Sequence, residues 1–140
     1  MKAEPFQGGD VPLVVLVGQG VDWAIEAGSV RSAQFAAEWK GSPPIDIAAL
    51  WGARWEGGSN AARIVVVSTQ SGTCAFSSGR LTFRSVDRSR ILPLPHIVAR
   101  GLGGRFIRGV VFSASEAATL VLNPDAFVDK PKHSLEGTRG

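Results

Sequence analysis

The chain has 140 residues and a mass of 14.7 kDa, the size of one ordinary domain. Apolar residues at 44% and charged ones at 19% suit a packed core rather than disorder, and no apolar run approaches the ~20 residues that cross a bilayer, so no membrane insertion is expected. A net charge of +3, spread along the chain, permits acidic partners without demanding them.

Residues 1–10 mix Pro5, Gly8, Gly9 and charges without a period and read as a flexible lead. No hydrophobic stretch follows Lys2, so no secretory signal is expected and the expected location is cytoplasmic. The domain proper is expected over 11–128. Pro12 to Val17 is a β-branched strand, and Val21 to Ala27 alternates apolar and polar residues as its hairpin partner, with Gly20 at the turn. Gly28-Ser29-Val30 reads as a short helical turn capped by Ser29. Pro43-Pro44-Ile45-Asp46-Ile47 reads as an extended piece running into a short helix at Ala48 to Trp51, and residues 56–60 as a loop.

Arg63 to Ser68 is the clearest strand, followed by strands at Thr73 to Ser77 and Arg80 to Val86. Pro93 and Pro95 mark an irregular connection, and His96 to Arg100 reads as a helical turn. Strands at Arg105 to Phe112 and Thr119 to Leu122 precede a helix start with Asn123 as cap and Pro124 in first position. Residues 129–140 read as a polar tail. Seven or eight short strands without a βαβ repeat predict a mainly β chain of antiparallel barrels.

Chemistry finds little footing. The histidines are only His96 and His133, and no serine lies in a Gly-x-Ser-x-Gly elbow, so no catalytic residue is expected. Scattered carboxylates and the single Cys74 supply no metal site, and Cys74 reads as a small strand hydrophobe. Gly101 to Gly104 leads into a strand and not a helix, so it reads as a turn rather than a phosphate cradle; no cofactor is expected. Arg80, Arg84, Arg88 and Arg90 form a basic stretch, but with only Phe83 interleaved they read as a solvated face and not a nucleic-acid stripe. Trp23, Trp39, Trp51 and Trp55 are the four tryptophans of a chain without tyrosine, most of them core anchors with one or two left for an interface.

Several segments, taken in order, resemble the CheW-like domains that join chemoreceptors to CheA-type histidine kinases. Trp23 to Val30 is similar to the family's first hairpin and turn, and Lys40-Gly41 followed by Pro44 to Gly52 to its Arg-Gly and Pro-hydrophobic-Asp-Leu segment. Arg63 to Val67 is similar to its central strand. Ile91 to Pro95, then Arg105 to Val110, then Leu120 to Pro124 follow its Pro-rich connection, Ile-x-Gly-Val strand and closing strand. The resemblance spans Pro12 to Val128.

It implies two packed SH3-like β-barrel subdomains with short helices and no catalysis. The implied function is a non-catalytic adaptor of bacterial chemotaxis-like signalling. Its implied partners are the regulatory domain of a CheA-type kinase, the tip of a methyl-accepting chemoreceptor and further CheW-like proteins; nucleic acid is not among them. Val30, Trp39 and Lys40 are the expected receptor-side positions, and Phe76 and Phe83 the expected anchors on the second barrel. Only Arg31 to Trp39 fills the space before Lys40-Gly41, so a strand or loop of the first barrel is expected to be shortened or missing. Lys40 stands where the family carries arginine, and the two differ at a bidentate site. The alternative reading is a specialised regulator that binds one partner of such a pathway.

Overall fold

The computed structural model describes residues 9–55, 62–94, 104–113 and 118–128. The protein is mainly β: nine strands among these residues form a five-stranded and a four-stranded sheet, with one short α-helix and several 3₁₀ turns. The N-terminal and C-terminal segments and the stretch holding His96 lie outside the described residues.

β1 (Asp10–Leu16) and β2 (Asp22–Glu26) form the expected hairpin, with Gly20 at φ +91° in its turn. Val14 and Leu16 of β1 enter one core, while Val11, Leu13 and Val15 enter another. β2 divides likewise, Trp23 and Ile25 to the first core and Ala24 to the second. A strand buried on both faces reads as a continuous apolar run, which explains Leu13 to Val17. Each fully buried Leu, Ile or Val there contributes about 1.5–3 kcal/mol over an exposed one.

The five-stranded sheet has the order β7-β1-β2-β9-β8, with β7 at Leu81–Asp87, β8 at Ile107–Phe112 and β9 at Ala118–Leu122. It curls around the second core and is drawn shut past β7, where Leu92 and Val110 exchange two backbone hydrogen bonds of 2.8 Å. Gly109 permits this approach: a Cβ there would lie 2.8 Å from Ile91 Cγ2 and 2.9 Å from the Leu92 carbonyl.

Pro12 is tolerated for a reason of register. Val17 donates to the Arg80 carbonyl and Arg88 to the Gly9 carbonyl. The odd residues of β1 therefore hydrogen-bond to β7, and Pro12 opposite Ser85 falls in a non-bonded pair. Its missing N–H faces Ala27, whose carbonyl accepts from Val30 N–H instead.

The second sheet has the order β3-β5-β6-β4, with β3 at Val30–Phe35, β4 at Ile45–Asp46, β5 at Arg63–Thr69 and β6 at Gly72–Ser78. Val65, Val67 and Phe76 turn inward to meet Trp23, Leu16 and Leu122 in the first core. Phe127, from the 3₁₀ turn Pro124–Phe127, sits edge-on to Phe76 at 5.0 Å and against Phe106 at 4.5 Å. The Asp125 carboxylate of that turn accepts the Gln70 N–H, fastening the turn to the β5–β6 connection.

Two expectations are corrected. Ser29 caps nothing; the turn Ala27–Ser29 begins after Glu26, with no side-chain cap. The sheets are mixed and not purely antiparallel, since β2 with β9 and β4 with β6 run parallel. The short stretch before Lys40, where a strand or loop is expected to be shortened or missing, holds the strand β3, paired with β5 through a bulge between Val30 and Ser32.

Candidate functional site

β3 and β4 are the two outer strands of the four-stranded sheet, so the chain from Ala36 to Pro44 must cross β5 and β6. It crosses on the outer face: the groove beneath it is lined by Val66 and Ala75, whose neighbours Val65, Val67 and Phe76 point into the core. A 3₁₀ turn at Ala36–Glu38 starts the crossing and brings in Trp39. The Trp39 indole N–H donates to the Ser42 carbonyl at 2.8 Å, which fixes the ring over the strap. Gly41 lies under the ring; a Cβ there would fall 2.4 Å from Trp39 Cζ2.

The resulting groove holds about 320 Å³, with Trp39, Pro43, Ile45 and Val66 among its walls. β4 pairs only with Phe76 and Ser77, so the strap borders the part of β6 that β4 does not cover. Cys74 also borders the groove, and burial together with the Asp125 charge pushes its thiol up to about 11. At neutral pH it is a protonated thiol that packs rather than reacts. An apolar, aromatic-walled groove beside an incompletely covered strand recognises a partner by shape and apolar burial.

The structure separates the five expected contact residues. Trp39 walls the groove and Lys40 is exposed beside it. Val30 stands opposite Val67 in register and packs on the first core. Phe76 is fully buried on β6 in the four-stranded sheet, so it offers a partner no surface. Phe83 on β7 is 76% exposed, the most exposed large apolar side chain among the described residues.

Phe35, Leu50 and Phe112 are also exposed apolar positions, and sequence reasoning missed them. The Arg63 guanidinium covers Phe35 at 4.2 Å from the ring centroid. Of the tryptophans, Trp51 and Trp55 cluster on buried Trp23, and Trp39 alone serves the groove. Among the described residues no cluster of three or more His, Cys, Asp or Glu could hold a metal ion, and no helix is long and apolar enough to cross a membrane.

No family model and no curated protein matches the sequence. Among solved structures, the chain is similar to the scaffolding protein TtCheW from Thermoanaerobacter tengcongensis. That match has a TM-score of 0.61 and 14% identity, and covers 81% of this chain and 88% of that one. The fold is CheW-like.

Proposed function

We propose that this protein is a non-catalytic adaptor of chemotaxis-like signalling, coupling a chemoreceptor to a CheA-type histidine kinase. The observation that carries the reading is the Trp39 groove, an apolar recognition surface on a fold shared with a scaffolding protein. Trp39 and Lys40 serve the receptor tip, and Phe83 on the five-stranded sheet serves the kinase regulatory domain. Both contacts rely on shape and apolar burial, which need no reactive group.

The one-partner regulator rested on a shortened first barrel. The short stretch before Lys40 nonetheless forms β3, pairs with β5 and leads into the Trp39 groove that the two-sided adaptor uses. Calorimetric titration with the kinase regulatory domain, then with the receptor tip, tests the proposal. Binding to both is expected; binding to the kinase alone supports the regulator, and silence in both removes the adaptor.

A further inference from the structure

Between β7 and β8 the curled sheet leaves an opening of about 330 Å³, with Arg84, Ser85, Asp87, Arg90, Val111 and Phe112 among its walls. The two strands present different edges to it. β8 is occupied there: Val110 exchanges both hydrogen bonds with Leu92, and Arg90 Nη2 donates to the Phe112 carbonyl at 3.3 Å. β7 is not. It pairs with β1 on one side, and no strand pairs with its other side among the described residues.

The register that tolerates Pro12 also identifies which backbone groups face outward. Thr82, Arg84 and Val86 bond to β1, so the N–H and C=O groups of Phe83 and Ser85 point away from it. Among the described residues the Phe83 carbonyl receives only a 3.5 Å contact from the neighbouring Thr82 hydroxyl. Side chains alternate along the same edge. Phe83, Ser85 and Asp87 share one face with Asp10, which stands opposite Asp87. Arg84 is on the other face.

The charges are thereby sorted. The Asp87 carboxylate accepts from the Ser89 N–H at 2.9 Å and the Ser89 hydroxyl at 2.7 Å, so it is engaged locally. Arg84 lies across the strand from both acids, and neither Arg84 nor Arg88 has an ion pair among the described residues.

We infer that the β7 edge is a docking site for an extended acidic peptide, which adds as a strand with alternate side chains against Phe83 and Arg84. The added backbone satisfies the outward groups of Phe83 and Ser85, the apolar side chains cover Phe83, and the carboxylates meet Arg84 and its neighbours Arg88 and Arg90. A nucleic acid matches the arginines but cannot complete a strand ladder, so a peptide is the occupant the geometry favours. The inference shares Phe83 with the kinase contact of the adaptor reading but does not rest on that reading, and its test uses neither kinase nor receptor.

The test is fluorescence anisotropy of a labelled short peptide alternating valine and glutamate. Its comparison probes are the same peptide with lysine in place of glutamate and a short oligothymidylate. The glutamate peptide is expected to bind, to weaken with added salt, and to outcompete both comparison probes. Ser85→Pro removes an outward N–H without touching a β1–β7 hydrogen bond and is expected to lower affinity about tenfold. Arg88→Glu, in the exposed turn, lowers it about fivefold with circular dichroism unchanged. If Ser85→Pro unfolds the chain, Arg88→Glu decides alone. Absence of binding, affinity untouched by both variants, or tighter binding of the oligothymidylate overturns the inference.

Discussion

Trp55 and Asp46 are joined by a hydrogen bond of 2.9 Å from the indole N–H to Oδ1, and the same oxygen accepts the Ala49 N–H at 3.2 Å. One carboxylate oxygen thus caps the helix α1 (Ile47–Leu50) and holds the tryptophan that packs edge-on against Trp23. Asp46→Ala is expected to cost about 1–2 kcal/mol through the lost cap, lowering Tm by roughly 3–8 °C. Asp46→Asn keeps an acceptor for both donors and is expected to stay within ~0.5 kcal/mol of the original. Paired thermal melts check this; equal losses for both variants would show that charge matters rather than the acceptor.

Gly109 sits where the five-stranded sheet is drawn shut, and the Leu92–Val110 bridge depends on it. Gly109→Ala drives a methyl toward the Leu92 carbonyl, which is backbone and cannot rotate away. The expected cost is about 1–3 kcal/mol, with faster amide exchange at Leu92 and Val110 than elsewhere in β8. Uniform exchange along the strand would show that the seam does not open first.

Phe76, Val30 and Phe83 give three different responses. Phe76→Ala empties a fully buried site and is expected to cost about 3–5 kcal/mol. Val30→Asp places a charge against the first core, with an expected cost above about 2 kcal/mol, so any lost binding comes with lost structure. Phe83→Ser on the exposed face is expected to change stability by less than ~0.5 kcal/mol while weakening kinase-domain binding. Denaturant melts beside calorimetry separate these cases; Phe83→Ser binding at the original affinity would remove Phe83 from the contact.

Strands with a buried face were legible because burial writes a pattern into the residues. Arg63 to Ser68 and the β1–β2 hairpin carried it; Pro124 opens the last 3₁₀ turn as expected, but Asn123 before it makes no side-chain cap. β3 was missed because its side chains are mostly exposed: Arg31, Ser32 and Ala33 face solvent, so no alternation records the strand. Phe76 and Phe83 look alike in sequence, each a phenylalanine in a strand. Only the register, Phe76 against Val65 and Phe83 against Val14 at the sheet's edge, separates core from surface. The Trp39 groove was half legible. Trp39 and Lys40 stood out, but the strap exists because β3 and β4 occupy opposite ends of one sheet, a fact of topology and not of local sequence.

The Cys74 thiol gives a prediction with a definite sign. Burial first and the Asp125 charge second raise it from the ordinary 9.0 to about 11, so the folded state holds its proton where the unfolded chain has lost it. Its contribution to stability is therefore complete below about pH 9 and is lost as pH rises through 11. At pH 8 the thiolate fraction is about 100-fold smaller than for an ordinary thiol of this type. Alkylation of native protein is accordingly expected to run about 100-fold slower than after denaturation, once access is controlled with a small reagent. The pH dependence of the native rate checks the assignment, because a half-rate near pH 9 would show a thiol that the groove leaves solvated.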